Sequence, residues 1–173
     1  MLVRILSGIL IILLIMVVGY FLIGDGKKQM HKEINTEIII NGSSEEVWNT
    51  LMDFAAYPEW NPFIINIEGN NEIGHALKVV LQSPDESIMK FEPKVVENKQ
   101  FSIFAWKGKL LVNGLFDGVH RFELVEVAEN KTLLKHSEVF SGLLVMFVDK
   151  ELKKTEQNFH IMNESLKQRV ENK

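Results

Sequence analysis

The sequence predicts an α+β domain: an antiparallel sheet with helices on one side, preceded by a single apolar helix. Three observations point there. From Phe63 to Phe140 the residues alternate apolar and polar in successive short runs separated by turn residues. Val148, Leu152, Thr155, Phe159, Met162, Leu166 and Val170 recur at steps of three and four, the stripe of one long amphipathic helix. From Ile5 to Ile23 every residue is apolar or small.

That first run is about 19 residues, roughly 28 Å of helix, close to the hydrocarbon thickness of a bilayer. Tyr20 and Phe21 stand near its end, as interfacial aromatics do. Residues 1–25 are therefore read as a single-pass membrane anchor. A cleaved signal peptide is the competing reading, with Arg4 before the run and Gly24 and Gly26 as small residues after it. The length of the run favours the anchor. Lys27, Lys28 and Lys32 outnumber Arg4, which favours a cytoplasmic domain.

Residues 26–32 are polar and form a linker to a domain over 33–173. EINTEIIIN (33–41) ends in β-branched residues and reads as a strand. Ser43 with Glu46 makes a capping box that opens a helix through Val47, Trp48 and Leu51. Pro58 and Pro62 stop it, leaving room for a short second helical turn around Phe54 to Trp60. The candidate strands that follow are FIINIEG, ALKVVLQS, SIMKFEPKVVE, QFSIFAWKG, GVHRFELVEV and TLLKHSEVF, joined as an antiparallel meander. The closing helix is expected to lie across the sheet and leave a ligand space between them.

Composition narrows the function. The 173 residues are 46% hydrophobic and 24% charged, with a net charge of −4. No basic surface is available for nucleic acid. The absence of cysteine excludes disulfides, thiolate metal sites and a Cys nucleophile. His31, His75 and His160 stand alone, no His pair has the i, i+4 spacing of a metal site, and neither a phosphate loop nor a nucleophile elbow is present. No metal or cofactor is expected, and the oligomeric state is left open.

The strings SSEEVWNTLMDFAAYPEWNPF, FAWKGKL, FDGVHRFEL and HSEVFSGLL, in this order of elements, resemble the START-like (SRPBCC) superfamily and its polyketide cyclase/dehydrase branch. The resemblance covers roughly residues 33–170. It implies a helix-grip fold, a curved antiparallel sheet holding the C-terminal helix over a hydrophobic cavity. It also implies a small hydrophobic ligand such as a lipid, quinone or polyketide, with a minority of members catalytic.

Candidate ligand-binding residues follow. Trp60 and Asn61 fall in the string that the family uses near the cavity mouth; Trp60 either lines the cavity or closes one end of the core. Phe104 and Trp106 share one sheet face, in competition with a stripe of Phe101, Ile103 and Ala105. His120, Phe122 and Leu124 share one face of a strand, and His136, Glu138 and Phe140 one face of the next. A three-residue turn at Glu129, Asn130 and Lys131 turns both triplets the same way. A two-residue turn opposes His136 to Glu123 and sends the histidines to opposite faces. If both face inward, His120, His136 and Glu138 form a polar cluster that is structural, ligand-orienting or an acid/base pair. No residue is assigned a catalytic role. The function expected is a membrane-anchored carrier of a hydrophobic molecule. The rivals are a cyclase- or dehydratase-type enzyme and a ligand-free interaction domain whose cavity its own side chains fill.

Overall fold

The computed structural model describes residues 17–19, 31–83, 86–109 and 114–172. The predicted anchor thus lies almost wholly outside the described residues. Among those residues, no helix is long and apolar enough to cross a membrane.

Strand β1 (His31–Ile40) begins inside the stretch read as linker, because His31 and Lys32 already pair with Ser141 and Phe140. The helix α1 (Ser44–Met52) opens on the predicted capping box. Ser43 Oγ accepts from Glu46 N at 3.2 Å, and Glu46 Oε2 accepts from Ser43 N at 2.8 Å. A 3-10 turn (Phe54–Ala56) and the one-turn helix α2 (Tyr57–Trp60) follow, with Pro58 in the first turn of α2, where a missing N–H costs nothing.

The strands form two sheets rather than one meander. Strands β2 (Ile64–Gly69), β3 (Leu77–Gln82) and β4 (Ile88–Phe91) make a three-stranded sheet. The larger sheet contains β5 (Lys94–Lys99), β6 (Ile103–Lys109), β7 (Asp117–Ala128) and β8 (Lys131–Ser141) in the order β1-β8-β7-β6-β5. The expected single strand SIMKFEPKVVE is corrected to two, β4 and β5. Pro93 has no N–H to give a ladder, so pairing breaks there and the chain passes from β3 to β6 as its neighbour. The sheets stay joined where Pro93 O accepts from Leu77 N and Val95 N donates to His75 O.

Helix α3 (Asp149–Glu171) lies against β1, β8 and α1. Its stripe is buried as predicted at Phe159, Met162, Leu166 and Val170, while Leu152 is half-buried. The α+β helix-grip architecture is therefore the one the sequence implied.

The turn between β7 and β8 is the two-residue Glu129–Asn130, with Asn130 at φ 51°. By itself this loop would turn the two histidines to opposite faces. A β-bulge between Glu126 and Ala128 shifts the register by one residue and restores the phase. Phe122 then pairs with His136, and His120 with Glu138, so both triplets face α3. Neither of the two registers read from the sequence is the observed one.

Candidate functional site

Three rows of inward side chains cross the large sheet. The first runs Thr36, His136, Phe122, Phe104; the second Ile34, Glu138, His120, Trp106, Val95; the third Lys32, Phe140, Gly118, Gly108. The rows are set by register, and α3 crosses above them.

In the first two rows the space between sheet and helix is filled with rings. His136 stacks on Phe159 at 3.7 Å and 9°, and His120 stacks on Trp106 at 4.4 Å and 6°. Phe122 packs against His136 and Trp106. Phe104 packs edge-on to Trp48 and tilted against Phe54. Phe104, Trp106 and Phe122 are fully buried, so their face is core here.

A chain of polar groups threads this apolar packing. Thr36 Oγ1 donates to His136 O at 3.0 Å, and Asn163 Nδ2 donates to Thr36 Oγ1 at 2.9 Å. Asn163 Oδ1 meets His136 Nδ1 at 2.8 Å. His136 Nε2 meets His120 Nε2 at 2.9 Å, and His120 Nδ1 approaches Glu138 Oε2 at 3.5 Å. Every buried polar atom along this line thus has a neighbour, as burial in an apolar core demands.

The directions of these bonds follow from the far end. Thr36 uses its one hydrogen on the His136 carbonyl, so it must accept from the Asn163 amide. Asn163 Oδ1 then only accepts, which puts a hydrogen on His136 Nδ1 and leaves Nε2 bare. His120 Nε2–H fills that lone pair, and His120 Nδ1 is left as an acceptor facing Glu138. Burial opposes charge at each site: it pushes the His120 imidazole down to about 3 and the Glu138 carboxyl up to about 8. His136 is held well below the usual histidine range by burial and by the neighbouring His120. Near neutral pH all three are uncharged. The His120–Glu138 contact is therefore an acid–imidazole pair and not an ion pair.

Beyond Glu138 the packing changes character. Gly108 and Gly118 oppose each other on the inner face; Phe91 and Pro93 lie against Gly108, and Glu138 and Phe140 lie against Gly118. The Glu138 carboxylate end lies over Gly118, with Oε1 only 2.5 Å from where a Cβ at 118 would stand. Glu138 keeps 18% of its side chain exposed, against 5% for His120. At the same end of the domain, a cleft of about 330 Å³ opens between the start of β1 and the first turns of α3, lined by Lys32, Ile34, Asp149 and Leu152 among others. Ile34 is the β1 neighbour of Glu138.

Trp60 and Asn61 lie elsewhere. Trp60 packs on Tyr57 at 5.0 Å and borders a separate cleft of about 470 Å³ with Ser165, Gln168 and Arg169, near the C-terminus of α3. It does not share the space of the histidines. Asn61 is buried and its Oδ1 accepts from Phe63 N and Ile64 N at 3.0 and 2.9 Å, so it fixes the turn into β2. Sequence reading missed Thr36, Asn163 and the facing glycines. Thr36 alternates with Ile34 and Ile38, and Asn163 falls four residues after Phe159, so each is a polar residue on a buried stripe. Among the described residues no group of His, Asp and Glu forms a metal cradle.

Comparison with known proteins agrees with this architecture. The START superfamily protein from Mycobacterium smegmatis superposes with a TM-score of 0.66 at 18% identity, over 81% of this chain and 97% of that one. The Zhui aromatase/cyclase from Streptomyces sp. R1128 gives 0.64 at 12% identity, over 82% and 94%. The di-domain ARO/CYC StfQ from the steffimycin biosynthetic pathway gives 0.70 at 12% identity, over 86% of this chain. The chain spans about half the length of that protein and of the di-domain BexL. At these identities the likeness concerns the fold. No curated protein matches the chain in sequence. Residues 31–171 match the family described as polyketide cyclase / dehydrase and lipid transport, and the chain belongs to that family.

Proposed function

We propose that the domain binds or carries a hydrophobic small molecule between the sheet and α3, at the end where Gly108 faces Gly118. The observation that carries this reading is Glu138, a neutral, partly exposed polar group lying over Gly118 among the apolar side chains of Phe140 and, across the strand pair, Phe91 and Pro93. A polar group set at the edge of apolar side chains is the pairing a small-molecule site needs. The cleft lined by Ile34 and Leu152 lies one strand away, Ile34 being the β1 neighbour of Glu138, and has the lower volume of such sites. The rings of the first two rows form the floor. They leave the ligand the end of the interface beside Glu138 and Phe140 rather than the whole of it.

The apolar run of residues 5–23 completes the proposal as a tether to a membrane, with the domain on the cytoplasmic side. Hydrophobic ligands partition into bilayers, and a tether holds the site near its supply. β1 starts at His31, and Lys32 approaches Asp149 at the first turn of α3, so the chain enters the fold at the cleft end.

A catalytic reading draws on Glu138 and His120, which could exchange a proton with a bound substrate. The test covers both readings. The purified full-length protein is examined by native mass spectrometry for retained molecules and by 1-anilinonaphthalene-8-sulfonate fluorescence, beside Gly108→Leu. A Cβ at 108 meets Phe91 at 3.4 Å, an ordinary contact, and the rest of the leucine side chain crowds the inner face at this end. Retained apolar molecules and a probe signal that Gly108→Leu removes are the expected results. An unchanged probe signal in that variant refutes the site. Conversion of the retained molecule on incubation would favour the enzyme.

A further inference from the structure

We infer that the ligand presents a hydroxyl hydrogen, that of a phenol, enol or alcohol, to Glu138 Oε1. The inference rests on the carrier reading above and adds the chemistry of the ligand's polar end.

The hydrogen bonds along the buried chain run one way, and the anchor of that direction is a backbone carbonyl. His136 O can only accept, so Thr36 donates to it. Asn163 Nδ2 donates to Thr36, His136 Nδ1 to Asn163 Oδ1, and His120 Nε2 to His136 Nε2. The last ring in the series turns a bare Nδ1 toward Glu138 Oε2. The carboxyl has one hydrogen, and the unfilled imidazole lone pair draws it. What remains is Oε1, a carbonyl-type acceptor lying over Gly118 on a side chain that keeps 18% of its surface exposed.

A ligand hydroxyl completes this series, since its hydrogen goes to Oε1 and every later donor stays matched to an acceptor. A ligand ketone or ether offers only lone pairs to a lone pair. To receive a hydrogen bond it must take the carboxyl hydrogen and leave His120 Nδ1 unfilled in an apolar core, an expensive loss for a buried acceptor. A ligand carboxylate is worse, because it brings a second acidic group beside Glu138. The selectivity is thus fixed on α3 and β1, two elements away from the ligand.

The experiment uses the full-length protein and three probes of one shape: 2-naphthol, 2-methoxynaphthalene and 2-naphthoate. Binding is read by quenching of tryptophan fluorescence and by calorimetry. One hydrogen bond makes 2-naphthol bind up to about tenfold tighter than its methyl ether, with the carboxylate weakest. Glu138→Gln keeps the preference, because its amide N–H can donate to His120 Nδ1 and leave the carbonyl free. Glu138→Leu loses it. Nitrogen-15 spectra of the unmodified protein test the direction independently of any variant. They are expected to show hydrogen on Nδ1 of His136 and on Nε2 of His120. The opposite tautomers overturn the inference, as does equal or tighter binding of the ether. If none of the three probes binds while the tautomers are as expected, the carrier reading itself fails, and the inference with it.

Discussion

Replacing Glu138 by glutamine removes one buried titration while keeping the size and hydrogen-bonding reach of the side chain. In the folded protein the Glu138 carboxyl holds its proton to about 8, against an ordinary value of 4.5. A group raised in this way contributes stability that is complete below its unfolded value and is lost as pH rises toward its folded value. The histidines act in the opposite sense. His120 and His136 are pushed below 6.5 by burial, and His160 on α3 pushes His136 further the same way. Their contribution is complete above 6.5 and is lost as pH falls. Around pH 5.5 the unfolded chain binds nearly two histidine protons while the folded one holds a single carboxyl proton, so stability rises with pH. Above 7 the unfolded histidines have lost theirs, and the folded carboxyl proton makes stability fall. These groups together place the maximum near pH 6.5. At about 1.4 kcal/mol per proton and pH unit, with the unfolded histidines still losing protons above 6.5 and the folded carboxyl half titrated at 8, the net fall between pH 6.5 and 8 is about 1 kcal/mol. For a domain of this size that is about 3 °C in melting temperature. Thermal melts from pH 5 to 8.5 are expected to show a peak for the natural protein and, for Glu138→Gln, a rise to a plateau. Parallel curves for the two proteins would refute the assignment of a neutral buried carboxyl.

Phe159→Ala is expected to cost about 3–5 kcal/mol in denaturant unfolding, because the ring is fully buried and stacked on His136. His136→Ala removes the acceptor of His120 Nε2–H and the donor to Asn163 Oδ1, leaving both unmatched in the core. A loss of about 1–3 kcal/mol per stranded group follows, measured by the same method. Asn61→Ala is expected to lower the melting temperature without altering probe binding at the Gly108–Gly118 end, since its bonds go to Phe63 and Ile64. Full-length protein is expected to stay with membranes through carbonate extraction, and a chain starting at Gly26 to remain in the supernatant.

The elements were legible in sequence wherever one local rule decided them. Ser43 and Glu46 fix a helix start through bonds three residues apart, and the spacing from Phe159 to Val170 fixes the buried side of α3. That His120 shares a face with Phe122, and His136 with Glu138, follows from strand period alone within each strand. The relation between the two strands does not. It depends on a bulge near the turn, where no Gly or Pro marks the extra residue. The partners of His136 were equally out of reach, since Thr36 and Asn163 come from opposite ends of the domain and meet only after the sheet and helix have packed. For Trp60 the sequence left two readings, cavity wall or closure of the core, and only the packing of α2 on Tyr57 and the C-terminal part of α3 sets it apart from the histidines.

The bulge in β7 makes changes of chain length in that hairpin unequal in effect. Val127 is the residue left without a partner, and it is half exposed at the edge of the turn. Its removal would shorten the strand yet leave Glu126 opposite Thr132 and every residue before it facing as it does now. Removal of one residue between His120 and Val125 would instead put half of β7 out of step with β8, and carry His120 away from His136. Insertions and deletions that look alike in an alignment therefore fall into two kinds. Those at the bulge leave the polar chain intact, and those a few residues earlier dismantle it.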